Sequence, residues 1–105
     1  MHVTLTSLNT GDRPLEDVPI VAEEMLGWLR DIDGFEGMLT FSREGVTVGL
    51  TFWATREAAE RHRVARLEFL DRVMSVADVE VEERIDLQVT FAHLGPAVIG
   101  FSEGR

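Results

Sequence analysis

The stretch from Gly34 to Glu57, GFEGMLTFSREGVTVGLTFWATRE, limits the possible folds more than any other part of the chain. Met38–Ser42 and Val46–Trp53 are rich in β-branched and aromatic residues and are separated by Arg43-Glu44-Gly45. With Glu44-Gly45 as a two-residue turn, glycine supplies the positive φ that such turns need. Arg43 then faces Val46, Phe41 faces Val48 and Leu39 faces Leu50. That register collects Leu39, Phe41, Val46, Val48, Leu50 and Phe52 on one face. Met38, Thr40, Ser42, Thr47, Gly49, Thr51 and Trp53 fall on the other, and a one-residue slip would mix the two sets. The apolar set is read as the core face, and the threonine-lined set, ending in Trp53, as the opposite one.

The flanking sequence supplies the remaining elements. Val3–Leu8 alternates Val3, Leu5 and Ser7 against Thr4 and Thr6, a strand pattern. After the turn-rich loop Asn9–Pro14, the residues Val18, Val21, Ala22, Met25, Trp28, Leu29 and Ile32 recur at helical spacing. Glu16 and Asp17 suit that helix's positive end, and Gly34 its C-terminal boundary. Thr55 is placed to cap a second helix running to about Met74. Val79–Leu94 alternates again and is long for one strand. The tail GPAVIGFSEGR carries Val98, Ile99 and Phe101.

This order, βαββαβ, is the ferredoxin-like split pattern: an α+β chain with an antiparallel sheet and two helices on one face. The predicted organisation is one domain over 1–94 and a C-terminal tail over 95–105. Covering one face with helices leaves the Thr4, Thr6, Thr40, Thr47, Thr51, Trp53, Gln88, Thr90 face open. A second sheet against it would close a two-subunit barrel, and the long last strand and apolar tail point to such a homodimer.

Composition removes several function classes. Of 105 residues none is cysteine, which excludes disulfides and thiolate chemistry. Net charge is −9, against nucleic acid as a partner, although five arginines (Arg56, Arg61, Arg63, Arg66, Arg72) share the second helix. Glu57/Arg61 and Glu68/Arg72 are i,i+4 pairs that account for a solvated face. No stretch reaches the ~20 apolar residues of a membrane span, and the N-terminus lacks a basic region before an apolar run. The expectation is a soluble cytoplasmic protein. Three histidines without matching carboxylate spacing make no zinc signature, so no metal is expected.

GFEGMLTF followed by VGLTFWATREAAE resembles the hallmark stretch of the antibiotic-biosynthesis-monooxygenase-like families of the dimeric α/β-barrel superfamily. Those proteins share a G-F-x-G lead into the second strand, a third strand ending in an aromatic pair, and a helix opening of the S/T-x-E-A kind, matched by Thr55-Arg56-Glu57-Ala58. The resemblance spans Val3 to Leu94 as an element order and residues 34–59 as a motif. It implies a dimeric α/β barrel that binds a small molecule. Haem-degrading members place an asparagine on the first strand and a tryptophan and histidine on the second helix. Here those helix positions hold His62 and Arg72, and Asn9 lies past the expected strand, so no haem or other cofactor is expected.

The cofactor-free branch binds phenolic substrates and assists their deprotonation. Without tyrosine, this chain offers His62, which shares a helix face with Ala58, Ala65, Phe69 and Val73. It reads either as a base or orienting donor, or as a packed histidine with no chemistry. With His62 catalytic, Asn9 is a polar contact at the cleft mouth, and Met25, Trp28, Phe69 and Phe91 form an apolar wall. The reading is a cofactor-independent monooxygenase acting on a phenolic or polycyclic aromatic substrate. Its rival is a non-enzymatic ligand-binding or stress-related dimer. Trp28 reads first as core packing, and Trp53 first as dimer packing.

Overall fold

The computed structural model describes residues 1–12, 14–61, 63, 68, 71–72 and 80–101. Strand β1 (His2–Asn9) leads through a 3-10 turn (Leu15–Asp17) into helix α1 (Val18–Leu29). Strands β2 (Phe35–Arg43) and β3 (Val46–Trp53) form the hairpin, followed by helix α2 (Arg56–Arg61). Strand β4 (Glu80–Gln88) and a short helix α3 (Pro96–Ile99) complete the order. The sheet runs β2-β3-β1-β4, all pairs antiparallel, which is the ferredoxin-like α+β arrangement expected from the sequence.

The hairpin register is the expected one: Leu39 opposite Leu50, Phe41 opposite Val48 and Arg43 opposite Val46. Gly45 takes φ +84° in the turn, where a side chain would be strained. Thr55 caps α2 by accepting the Ala58 N–H at 3.0 Å. Arg61 turns to Asp33 at 3.7 Å instead of to Glu57, while Arg56 pairs with Glu60 at 3.0 Å.

The assignment of faces is reversed. Leu29 of α1 and Ala58 and Ala59 of α2 form the buried cluster with Trp53, and Met25, Trp28, Ile32, Phe35 and Met38 pack around it. Trp53 and Met38 belong to the threonine set, so the helices cover the threonine-lined face. Trp53 is 0% exposed, held edge-to-face by Phe35 with ring centroids 5.5 Å apart, and is no residue of an open barrel face. Arg84, on the same face as Thr6, reaches Asp71 at 2.7 Å, a second tie from this face to the helical layer. The apolar set faces the other way. Val3, at its centre, is buried between Phe52 and Leu87, but Phe41 is 56% and Leu87 45% exposed. The physical reason is that Leu29 of α1 and Ala58 and Ala59 of α2 pack on Trp53, which turns the face carrying Trp53 toward the helices.

Three boundaries also differ. Asn9 lies inside β1, opposite Val46, because the strand runs on to meet the turn end of β3. α1 ends at Leu29, so Gly34 is not its cap; Gly34 has φ +90°, and a Cβ there would lie 2.5 Å from the Ala58 Cβ. It is the point where the chain passes against α2. The last strand stops at Gln88, with one further bond from the Val89 N–H to the Met1 carbonyl at 3.0 Å.

Candidate functional site

On the helix-facing side of the sheet, strand pairing lines up a row of polar side chains. His2, Trp53 and Gln88 stand opposite one another; one step along are Thr4, Thr51 and Asp86, and Met38 joins them from β2. Near the turn end Thr47 is buried and shares a 2.9 Å hydrogen bond with Ser42. The Trp53 indole Nε1–H donates to Thr51 Oγ1 at 3.2 Å. The Thr4 hydroxyl donates to Asp86 Oδ1 at 3.3 Å, and the same oxygen lies 3.2 Å from His2 Nε2.

The His2–Asp86 pair follows from geometry alone. β1 and β4 are adjacent and antiparallel, so residues two positions off register on one face are diagonal neighbours. His2 is nearly buried, whereas the Asp86 side chain is 55% exposed at the sheet's end. A carboxylate oxygen accepts, so in this contact the hydrogen lies on His2 Nε2. A depression of about 430 Å³ opens there, lined by Met1, His2, Thr55, Arg56, Asp86 and Gln88 among others.

The residues singled out from the sequence fall into three groups. Met25 and Trp28 sit on α1 and pack against the Trp53 cluster, the core-packing role read first for Trp28. His62 and Phe69 lie outside the described residues. Asn9 and Phe91 do not join the others. Asn9 is exposed at the opposite end of β1 from His2, with its side-chain oxygen accepting the Gly11 N–H at 3.0 Å. Phe91 is 87% exposed past the end of β4. His93 is likewise exposed beyond the strand. Among the described residues no three His, Cys, Asp or Glu side chains come close enough to hold a metal ion. No described helix is long and apolar enough to cross a membrane.

No family model matches the chain, and neither does any curated protein sequence. Solved structures do. SnoaB, a cofactor-independent oxygenase from Streptomyces nogalater, superposes with a TM-score of 0.63 at 15% identity, over 87% of this chain and 95% of its own. The ActVA-Orf6 monooxygenase of Streptomyces coelicolor, solved with the ligand nanaomycin D, gives 0.64 at 14%, over 90% and 91%. The chain has the fold of these monooxygenases. Foldit4, a de novo designed protein, also matches, with a TM-score of 0.55 at 17% identity over 84% of this chain and 96% of its own. The same architecture therefore occurs with and without a natural activity, and function has to be argued from the side chains.

Proposed function

We propose that this protein is a cofactor-independent monooxygenase acting on a phenolic or polycyclic aromatic substrate held between the helices and the threonine-lined face of the sheet. The observation that carries this reading is the reversed sheet. A chain that only had to fold would turn Leu39, Val48 and Leu50 toward its helices and Thr4, Thr47 and Thr51 outward. Here the hydroxyls lie beneath the helical layer, beside Trp53, Trp28 and Met25, the mixture of flat apolar surface and few polar groups that suits an aromatic ligand. SnoaB and ActVA-Orf6 on the same fold support the reaction class.

In this reading His62 takes the substrate's proton or donates to its carbonyl, and Met25, Trp28 and Phe69 form the wall. The substrate supplies the electrons: an anthrone methylene and dioxygen give the quinone carbonyl and water, with no cofactor in the balance. The apolar outer face, with Phe41, Ile85 and Leu87 exposed, is covered by a second copy of the chain. The tail over 95–105 adds Val98, Ile99 and Phe101, all exposed, to that contact. The second reading is a ligand-binding dimer without turnover.

Dioxygen uptake by the parent and by His62→Ala, with a panel of anthrone- and hydroquinone-type compounds, tests the proposal. Uptake by the parent that collapses in the variant is the expected result. No uptake by either protein would leave the binding dimer.

A further inference from the structure

Gly49 is a glycine that the fold does not ask for. It sits near the middle of β3, an inner strand with β2 on one side and β1 on the other. Glycine weakens a strand interior, and there it marks a bulge, a bend or a close approach by another backbone or a ligand. Gly34, Gly37 and Gly45 each have a positive φ, and Gly49 does not. No bulge falls at Gly49, which pairs in unbroken register with Thr6 and Thr40. A Cβ at Gly49 would meet no described atom within 4 Å. Gly27 is as unhindered, but it is exposed on α1, where the open space is solvent. Gly49 is half-buried, on the side of the sheet that carries Trp53 and the helices.

The space over Gly49 has defined borders. Along β3 it lies between buried Thr47 and Thr51, whose oxygen accepts the Trp53 Nε1–H. Across the sheet it lies between Thr6 of β1 and Thr40 of β2. Those two backbones stand roughly 10 Å apart, two strand spacings. Thr40 is exposed on the edge strand, so the space opens at that side. Beyond Thr6 it ends at Arg84, which is tied to Asp71 at 2.7 Å. The Thr6 and Thr40 hydroxyls hydrogen-bond no described residue. Bare backbone between free hydroxyls suits a flat ring system with oxygen substituents, and a single ring would leave most of such a gap empty.

We propose that Gly49 sets the width of the ligand, admitting a fused-ring molecule that a side chain at this position would turn away. The face of the ring system lies on the Gly49 backbone, and the Thr6 and Thr40 hydroxyls hydrogen-bond its oxygen substituents. Gly49 is a specificity-determining residue, and no proton or electron moves through it. The inference rests on the proposed function for the position of the cleft but not for the reaction.

The probes are 1,8-dihydroxyanthraquinone, with three fused rings, and hydroquinone, with one, each measured by equilibrium dialysis against the full chain. The parent should bind the three-ring probe more tightly. Gly49→Val should weaken that binding by about tenfold or more, the usual effect of an added methyl group in a fitted site, and leave hydroquinone binding where it was. Thr40→Val, at the exposed edge, should weaken three-ring binding several-fold. Urea unfolding separates ligand space from packing. With open space above the strand, Gly49→Val should be at least as stable as the parent, since valine is the better strand residue. Loss of three-ring binding in a Gly49→Val protein of parental stability would support the inference even if neither protein took up dioxygen, in which case the oxygenase reading alone fails. A destabilised Gly49→Val, three-ring binding that survives it, or a parent that binds no three-ring probe would overturn the inference even with dioxygen uptake intact.

Discussion

Trp53 and Gly34 fix how closely α2 approaches the sheet. Trp53 is the largest fully buried side chain, and removing its ring in Trp53→Ala should cost about 3–5 kcal/mol in urea unfolding. Gly34→Ala adds a methyl group against Ala58 at a positive φ, so it should cost ~1–3 kcal/mol. Part of that loss should return in the Gly34→Ala, Ala58→Gly double variant, since contacting residues do not behave additively. Thr10 differs in kind. Its hydroxyl is buried with no hydrogen-bond partner among the described residues, so Thr10→Val should be neutral or stabilise by ~1 kcal/mol, and a clear loss would show that the hydroxyl has a partner. The value of Gly34 could be read from the sequence, but its role could not. Helix-ending glycines and glycines at close approaches look the same until the partner, Ala58, is in place. His2 was legible in principle. Set against Asp86, on a neighbouring strand and the same face, it gives the dyad.

At the scale of elements, the alternation in β2 and β3 set the hairpin register and the βαββαβ order set the sheet type, and both agree with the structure. It could not decide which face the helices take. Two-sided patterning leaves one apolar and one hydroxyl face, and the usual preference sends the apolar one inward. The decision lies in the helices, whose alanines and aromatic residues fit around Trp53, and their stripes give no information about which sheet face they meet. The capped start of α2 was readable, since threonine is a preferred N-cap residue and Thr55 directly precedes the helical run Arg56-Glu57-Ala58-Ala59. Thr55→Ala should lower stability by about 1 kcal/mol by thermal or chemical unfolding, leaving the Ala58 N–H without its acceptor. The site at the sheet's end was harder to see. It joins the beginning of β1 to the end of β4, 84 positions apart, and only the register brings them together.

For the whole molecule, the reversed sheet makes two demands. Beneath the helices, buried hydroxyls need hydrogen-bond partners, which Trp53 and Asp86 supply for Thr51 and Thr4 and to which the proposed substrate would add. Outside, a face carrying Phe41, Ile85 and Leu87 exposes apolar surface that a second sheet would bury, each such side chain contributing roughly 1.5–3 kcal/mol when fully covered. Both demands come from one fact, that the apolar side of this sheet points away from its own helices. Sedimentation equilibrium at micromolar concentration, on the parent and on Phe41→Glu, tests that fact most directly. The account predicts a parent of twice the 11.8 kDa chain mass and a folded, monomeric variant with unchanged circular dichroism. A monomeric parent, or a Phe41→Glu protein that unfolds as a buried-core variant would, would contradict it.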